Sequence, residues 1–274
     1  MDLNTIAEVA RPQSRAQLPV WTAGDAFLAG GTWLFSEPQV HLKRLIDLAD
    51  LKWPALTIHE QGLTIAATCT VAQLDALACP SDWLAAPLIN QCCRSFLASF
   101  KIWKTATVGG NLCMSLPAGP MISLTSALDG VCTIWQADGA ERKIDVADFV
   151  TGDRQNVLKP GDLLRQIDIP LAASKRRSAF RQISLAPAGR SAALLIGSLS
   201  DDTLLLTVTA STKRPVRLSF DPIVDPGAMR QAILQAIPDG LYHDDVHGKP
   251  LWRKHMTLRL AEEIRSELLG AGRS

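Results

Sequence analysis

ATVGGNLCMSLPAGP, residues 106–120, sets two adjacent glycines after Thr107-Val108 and before Asn111, then runs into a loop of small residues. Adjacent glycines let a backbone turn tightly and come close to something bulky. That something is either another stretch of chain or a phosphate. A similar pair stands upstream in LAGGTWL, residues 28–34. Each site couples its glycines to small polar side chains, Thr32 in one and Thr107 with Asn111 in the other. Successive exposed N–H groups make an anion-binding concavity, and a threonine or asparagine adds a donor. Neither site is GxGxxG after a strand, and neither is GxxxxGK[ST]; the Rossmann and P-loop geometries are disfavoured. Either pair alone reads as a plain structural turn. Together they predict two nests that hold a pyrophosphate between two subdomains.

The rest of the chain bounds the classes. With 274 residues there is room for one large domain or two to three small ones. The formal net charge of +1 offers no nucleic-acid groove and no polybasic membrane anchor. MDLNTIAEVARPQS lacks the basic-then-apolar pattern of a signal peptide, no apolar run would span a bilayer, and a cytoplasmic location is expected. The six cysteines form no CxxC, so no metal or iron–sulfur site is expected, and Cys92-Cys93 reads as two small apolar residues on a helix.

Periodicity divides the chain further. Strands are predicted at 26–29 and 44–47, a strand then a helix start at Thr70 over 63–74, and a helix in WLAAPLINQCCRSFLAS. A helix over 122–128 is followed by strands punctuated by Asp-Gly turns. LLRQIDIP, ending at Pro170, alternates like an edge or exposed strand. SAFRQIS, SAALLIGSLS and DTLLLTVTAST read as an antiparallel meander, covered by the helices PGAMRQAILQAI and PLWRKHMTLRLAEEIRSELLG. The fold class expected is α+β.

These landmarks resemble a known family. LAGGTWL at 28–34, TVGGN with SALDG at 107–111 and 126–130, KPGDLLRQIDIP at 159–170, and SAFRQIS with DVHGKPLWRKHMTLRLAEE at 178–184 and 245–263 stand in the family's order and at compatible spacings. The chain is similar to the FAD-binding medium subunits of molybdenum hydroxylases, the group of xanthine dehydrogenase and carbon monoxide dehydrogenase. The resemblance implies a two-subdomain FAD-binding domain of the vanillyl-alcohol-oxidase-like (PCMH) type over 1–172, with subdomains of about 1–52 and 53–172. A C-terminal antiparallel sheet covered by helices follows over 173–274. It implies FAD as cofactor, held by Ala29, Gly30, Gly31, Thr32, Trp33 and Leu34 from one side and by Thr107, Val108, Gly109, Gly110 and Asn111 from the other. Leu164 would be an apolar wall. Arg181 would stand near the isoalloxazine ring, where a cation favours negative charge at N1 and O2; its alternative is an arginine on a strand surface. The implied partners are a molybdopterin-binding large subunit and a small subunit with [2Fe–2S] clusters, with NAD as one electron acceptor. No nucleic acid and no membrane span enter this picture.

Departures from the family pattern set the alternatives. Pro120 stands where many members carry an aspartate, Gly152-Asp153-Arg154-Gln155-Asn156 stands for Gly-Tyr-Arg-Lys-Thr, and LAPAGRSAA lacks the usual Arg and Asp. A member that has lost tight FAD and serves as a structural subunit is one alternative; a stand-alone flavin oxidase is another, although no candidate base is visible. The YHDDVHG stretch reads as a loop capping the next helix rather than a metal site. Trp33, Trp53 and Trp103 are candidates for burial by partners.

Overall fold

A computed structural model describes residues 3–270. The chain begins with a small parallel sheet: β1 (Glu8–Ala10), β2 (Asp25–Leu28) and β3 (Arg44–Asp47), in the order β1-β3-β2. Asp25 anchors it. Its buried carboxylate takes the Arg44 guanidinium at 2.6 Å and the Thr22 N–H at 2.7 Å, and the hydrogen bond to Arg44 holds its pKa below the usual carboxylate value.

The second sheet is antiparallel and five-stranded. It contains β4 (Leu56–His59), β5 (Gly62–Ala66), β6 (Val131–Trp135), β7 (Glu141–Asp145) and, after the small hairpin β8 (Val150–Gly152) with β9 (Gln155–Asn156), β10 (Leu163–Pro170). Its order is β4-β5-β10-β6-β7. The alternating LLRQIDIP is therefore the central strand, where an edge was expected. Its polar residues find partners in place: Asp168 accepts from Thr64 at 2.6 Å and from Gln166 at 2.9 Å, and Arg165 lies 4.2 Å over the Trp53 ring. Alternation reports one polar face, and here that face is covered by side-chain pairing rather than by water.

Helices α1 (Val71–Asp75), α2 (Ala86–Arg94), α3 (Phe100–Trp103), α4 (Val108–Met114), α5 (Pro120–Ala127) and α6 (Val146–Phe149) accompany this sheet. Thr70 starts α1 as expected, with a complete capping box to Gln73. All of α5 is buried, because the main core lies beneath it and the third sheet above. After α7 (Leu171–Ser174) that third sheet runs β11 (Arg177–Ile183), β12 (Ala193–Ser200), β13 (Thr203–Thr209) and β14 (Val216–Phe220) in sequential antiparallel order. Helices α8 (Pro226–Ala236) and α9 (Pro250–Gly270) pack on its far face around Ile233, Leu260 and Ile264. Several contacts join the sheets. Ser123 on α5 and Thr209 on β13 share a hydroxyl hydrogen bond of 2.6 Å, Ala210 N–H donates to Pro117 O at 2.9 Å, and Leu194 and Ile196 enter the main core.

Arg253 on α9 is 1% exposed. It donates to the carbonyls of Gly248, Ala192 and Ala210 and to the Asp245 carboxylate, tying the helix start to β12 and β13. Asp245 also accepts the His247 N–H, and Asp244 pairs with Lys249. Among the described residues there is no cluster of metal-ligating side chains, and no helix is long and apolar enough to cross a membrane.

Candidate functional site

The two glycine segments meet. A Cβ added to Gly30 would stand 1.8 Å from the Thr105 carbonyl oxygen, two residues before Thr107. Gly31 adopts φ +69°, a left-handed conformation natural to glycine, with the Phe35 ring against it. Beyond β2 the loop turns through Thr32, Trp33 and Leu34, and Phe35 N–H closes it on Gly31 O at 2.8 Å.

Donor accounting separates the segments. The N–H groups of Gly30, Gly31, Thr32, Trp33 and Leu34, and the Thr32 hydroxyl, have no acceptor among the described residues. All five residues are half-buried. Neighbouring amides without acceptors are the donor set an anion takes.

The second segment is different, because Val108-Gly109-Gly110-Asn111 begins helix α4 rather than forming an open turn. Its N–H groups are used internally: Val108 to Cys69 O at 2.8 Å, Gly109 to Ala67 O at 3.0 Å, Gly110 to Thr107 Oγ1 at 3.0 Å, and Asn111 to Thr107 O at 3.0 Å. Thr107 is the helix N-cap, so Thr-x-x-x read as a nest is a capping signal. Gly109 is required by packing, since a Cβ there would meet Ala67 at 2.5 Å. This segment braces the first loop and presents the Gly110 and Asn111 side.

Of the other expected site residues, Ala29 joins the first loop and packs with Phe27, Leu48 and Leu163. Leu164 is buried in the main core, paired with Ile134, and forms no wall toward the loops; the neighbouring Leu163 faces the Ala29 side. Arg181 sits on the α9 face of β11 and pairs with Glu263 at 3.2 Å and Glu267 at 2.6 Å. Strand alternation turns Phe180 the opposite way, into the main core, so Arg181 is the strand-surface arginine of the alternative reading.

Three residues near the site were not singled out as ligands. Arg154, in the β8–β9 turn, places its guanidinium carbon 5.0 Å from the centroid of the Trp33 ring. Arg190 and Ser191 border a cavity of about 240 Å³ together with Asn111, Gly119, Pro120 and Phe96. Pro120 is the first helical residue of α5, where its missing N–H costs nothing, and Met121 N–H donates to Asn111 Oδ1 at 3.2 Å. The cavity lies between α5 and the loop before β12, a long-range juxtaposition no local pattern announces. Of the tryptophans, Trp53 packs edge-on against Trp135, and Trp103 donates to Phe96 O at 3.1 Å. The cysteines are free, and burial pushes thiols such as Cys69 and Cys93 up to about 12.

A family described as "FAD binding domain in molybdopterin dehydrogenase" matches residues 7–172. A stretch of 98 residues is 32% identical to caffeine dehydrogenase subunit beta of Pseudomonas sp. (strain CBB1), covering 36% of this chain and 33% of that protein, about a third of its length. Among solved structures, a chain of the reconstituted CO dehydrogenase from Oligotropha carboxidovorans superposes with a TM-score of 0.80 at 21% identity, over 97% of this chain and 98% of that one. A chain of quinoline 2-oxidoreductase from Pseudomonas putida 86 does so with a TM-score of 0.76 at 18% identity, over 96% of each chain. These likenesses establish a shared fold.

Proposed function

The chain belongs to the family of FAD-binding domains in molybdopterin dehydrogenases, and from that premise we propose that it is the electron-transferring flavoprotein subunit of a molybdenum hydroxylase. The observation that carries the proposal is the run of unpaired N–H groups from Gly30 to Leu34, with the free Thr32 hydroxyl beside it. This donor set fits the diphosphate of FAD. FAD, when bound, would supply the redox chemistry between iron–sulfur clusters of a partner and an acceptor such as NAD.

The protein's part is holding and placing. Gly30 to Leu34 would take the diphosphate oxygens, with no side-chain rotamer to order in the amide contacts. The second segment, through Gly30 against Thr105, fixes the loop's position. The cavity at Asn111, Arg190 and Ser191 would offer the flavin end a half-enclosed seat next to the third sheet. No nucleophile or general base of this chain is required. The subdomain boundaries near 52 and 172, and the PCMH layout, belong to this proposal.

One observation favours a second reading, a structural subunit with weak FAD binding: the amides of Val108 to Asn111 are already paired, so one loop rather than two donates to the diphosphate. Affinity capture of the tagged full chain from its own cells decides the partner question. Molybdenum, iron and FAD recovered together with two further polypeptides support the proposal. Recovery of the chain alone, without metals, contradicts it.

A further inference from the structure

Arg154 is held in an unusual way for a surface arginine. Its backbone has φ +55°, a left-handed conformation that costs a non-glycine residue free energy. The turn is clamped there: Arg154 N–H donates to Ser115 O at 2.9 Å, and Asn156 Nδ2 donates to Cys113 O at 2.8 Å. The clamp holds the hairpin to the C-terminal end of α4. From that position the side chain lies over Trp33, in the middle of the unpaired amides. Among the described residues the guanidinium has no carboxylate or carbonyl partner, although Asp153 precedes it in the chain. Stacking on the ring leaves all of its N–H donors free at the rim.

We propose that Arg154 is the cationic ligand of the diphosphate, closing over it from the hairpin while the Gly30–Leu34 amides hold it from the loop; this rests on the FAD reading above. A planar guanidinium fixed by an aromatic face presents a two-pronged donor set to phosphate oxygens. The Trp33 ring would then orient the fork, and the clamp on α4 would connect both glycine segments through one bound anion. This also gives Trp33 a role that a loop residue in a plain turn lacks.

The test is equilibrium binding of FAD and of ADP to the full chain, with Arg154→Gln, Arg154→Lys and Trp33→Leu. ADP carries the diphosphate without the flavin. Arg154→Gln is expected to weaken both ligands by a similar factor, about ten- to a hundred-fold, and to flatten the salt dependence of binding. Arg154→Lys should recover part of the loss, because it keeps the charge without the fork. Far-ultraviolet circular dichroism and thermal melting of the variants establish that they fold. Wild-type affinity for FAD in a folded Arg154→Gln chain overturns the assignment, as does a loss for FAD with ADP unchanged. A wild-type chain that takes up neither ligand overturns the FAD reading itself, and the assignment with it.

Discussion

A methyl group added at Gly30 would stand 1.8 Å from the Thr105 carbonyl oxygen, whereas one added at Gly110 meets only Thr107 Oγ1, at 2.9 Å. The two glycines read alike in the sequence and answer to different constraints. Gly30→Ala must displace backbone, so we expect a loss of about 1–3 kcal/mol in urea unfolding and release of FAD. Gly110→Ala must move one hydroxyl, and in a helix alanine is the better residue; FAD affinity is expected to change far less. Equal loss from both variants would contradict this division. Thr107→Ala removes the cap of α4 and should cost about 1 kcal/mol, read from the same unfolding curves.

At the scale of elements, the parallel sheet depends on the Asp25–Arg44 pair. Asp25 has a lowered pKa in the folded chain, so it contributes stability that is present above the ordinary carboxylate value and lost as pH falls through its folded value. Asp25→Asn should lower stability at neutral pH and make the acid limb below about pH 4 shallower than in the wild type; parallel acid limbs would count against the pair. The strands at 44–47 and around 26–28, the start of α1 and the meander of the third sheet were legible from apolar period and capping residues. The central position of β10 was not. Its partners come from 104 and 35 residues away in Thr64 and Thr133, and single-sequence alternation cannot see a polar face satisfied across a sheet. The same limit hid the helical start at Val108, because Gly-Gly weighs against a helix until the Ala67 contact and the Thr107 cap are known.

At the scale of the molecule, the glycine loops and their order along the chain gave the family. The cavity lining was hidden, since Arg190 and Ser191 come beside Asn111 only when the third sheet docks on α5. A strand motif does not say which face carries Arg181; its pairing with Glu263 and Glu267 puts it on the α9 side. Packing of α9 on the third sheet depends on Arg253. Arg253→Met leaves three carbonyls and the Asp245 carboxylate without their donor, and should lower unfolding stability by about 3–5 kcal/mol. Arg253→Lys should not restore it, lacking the planar fork.

The most direct test of the central claim is the visible absorption spectrum of the purified full chain after incubation with FAD and removal of the excess. The expected result is flavin bands in the blue and near-ultraviolet that persist through gel filtration, FAD as the molecule released on denaturation, and loss of both in Gly30→Ala. A colourless wild-type chain, folded by circular dichroism and without retained FAD, would contradict it.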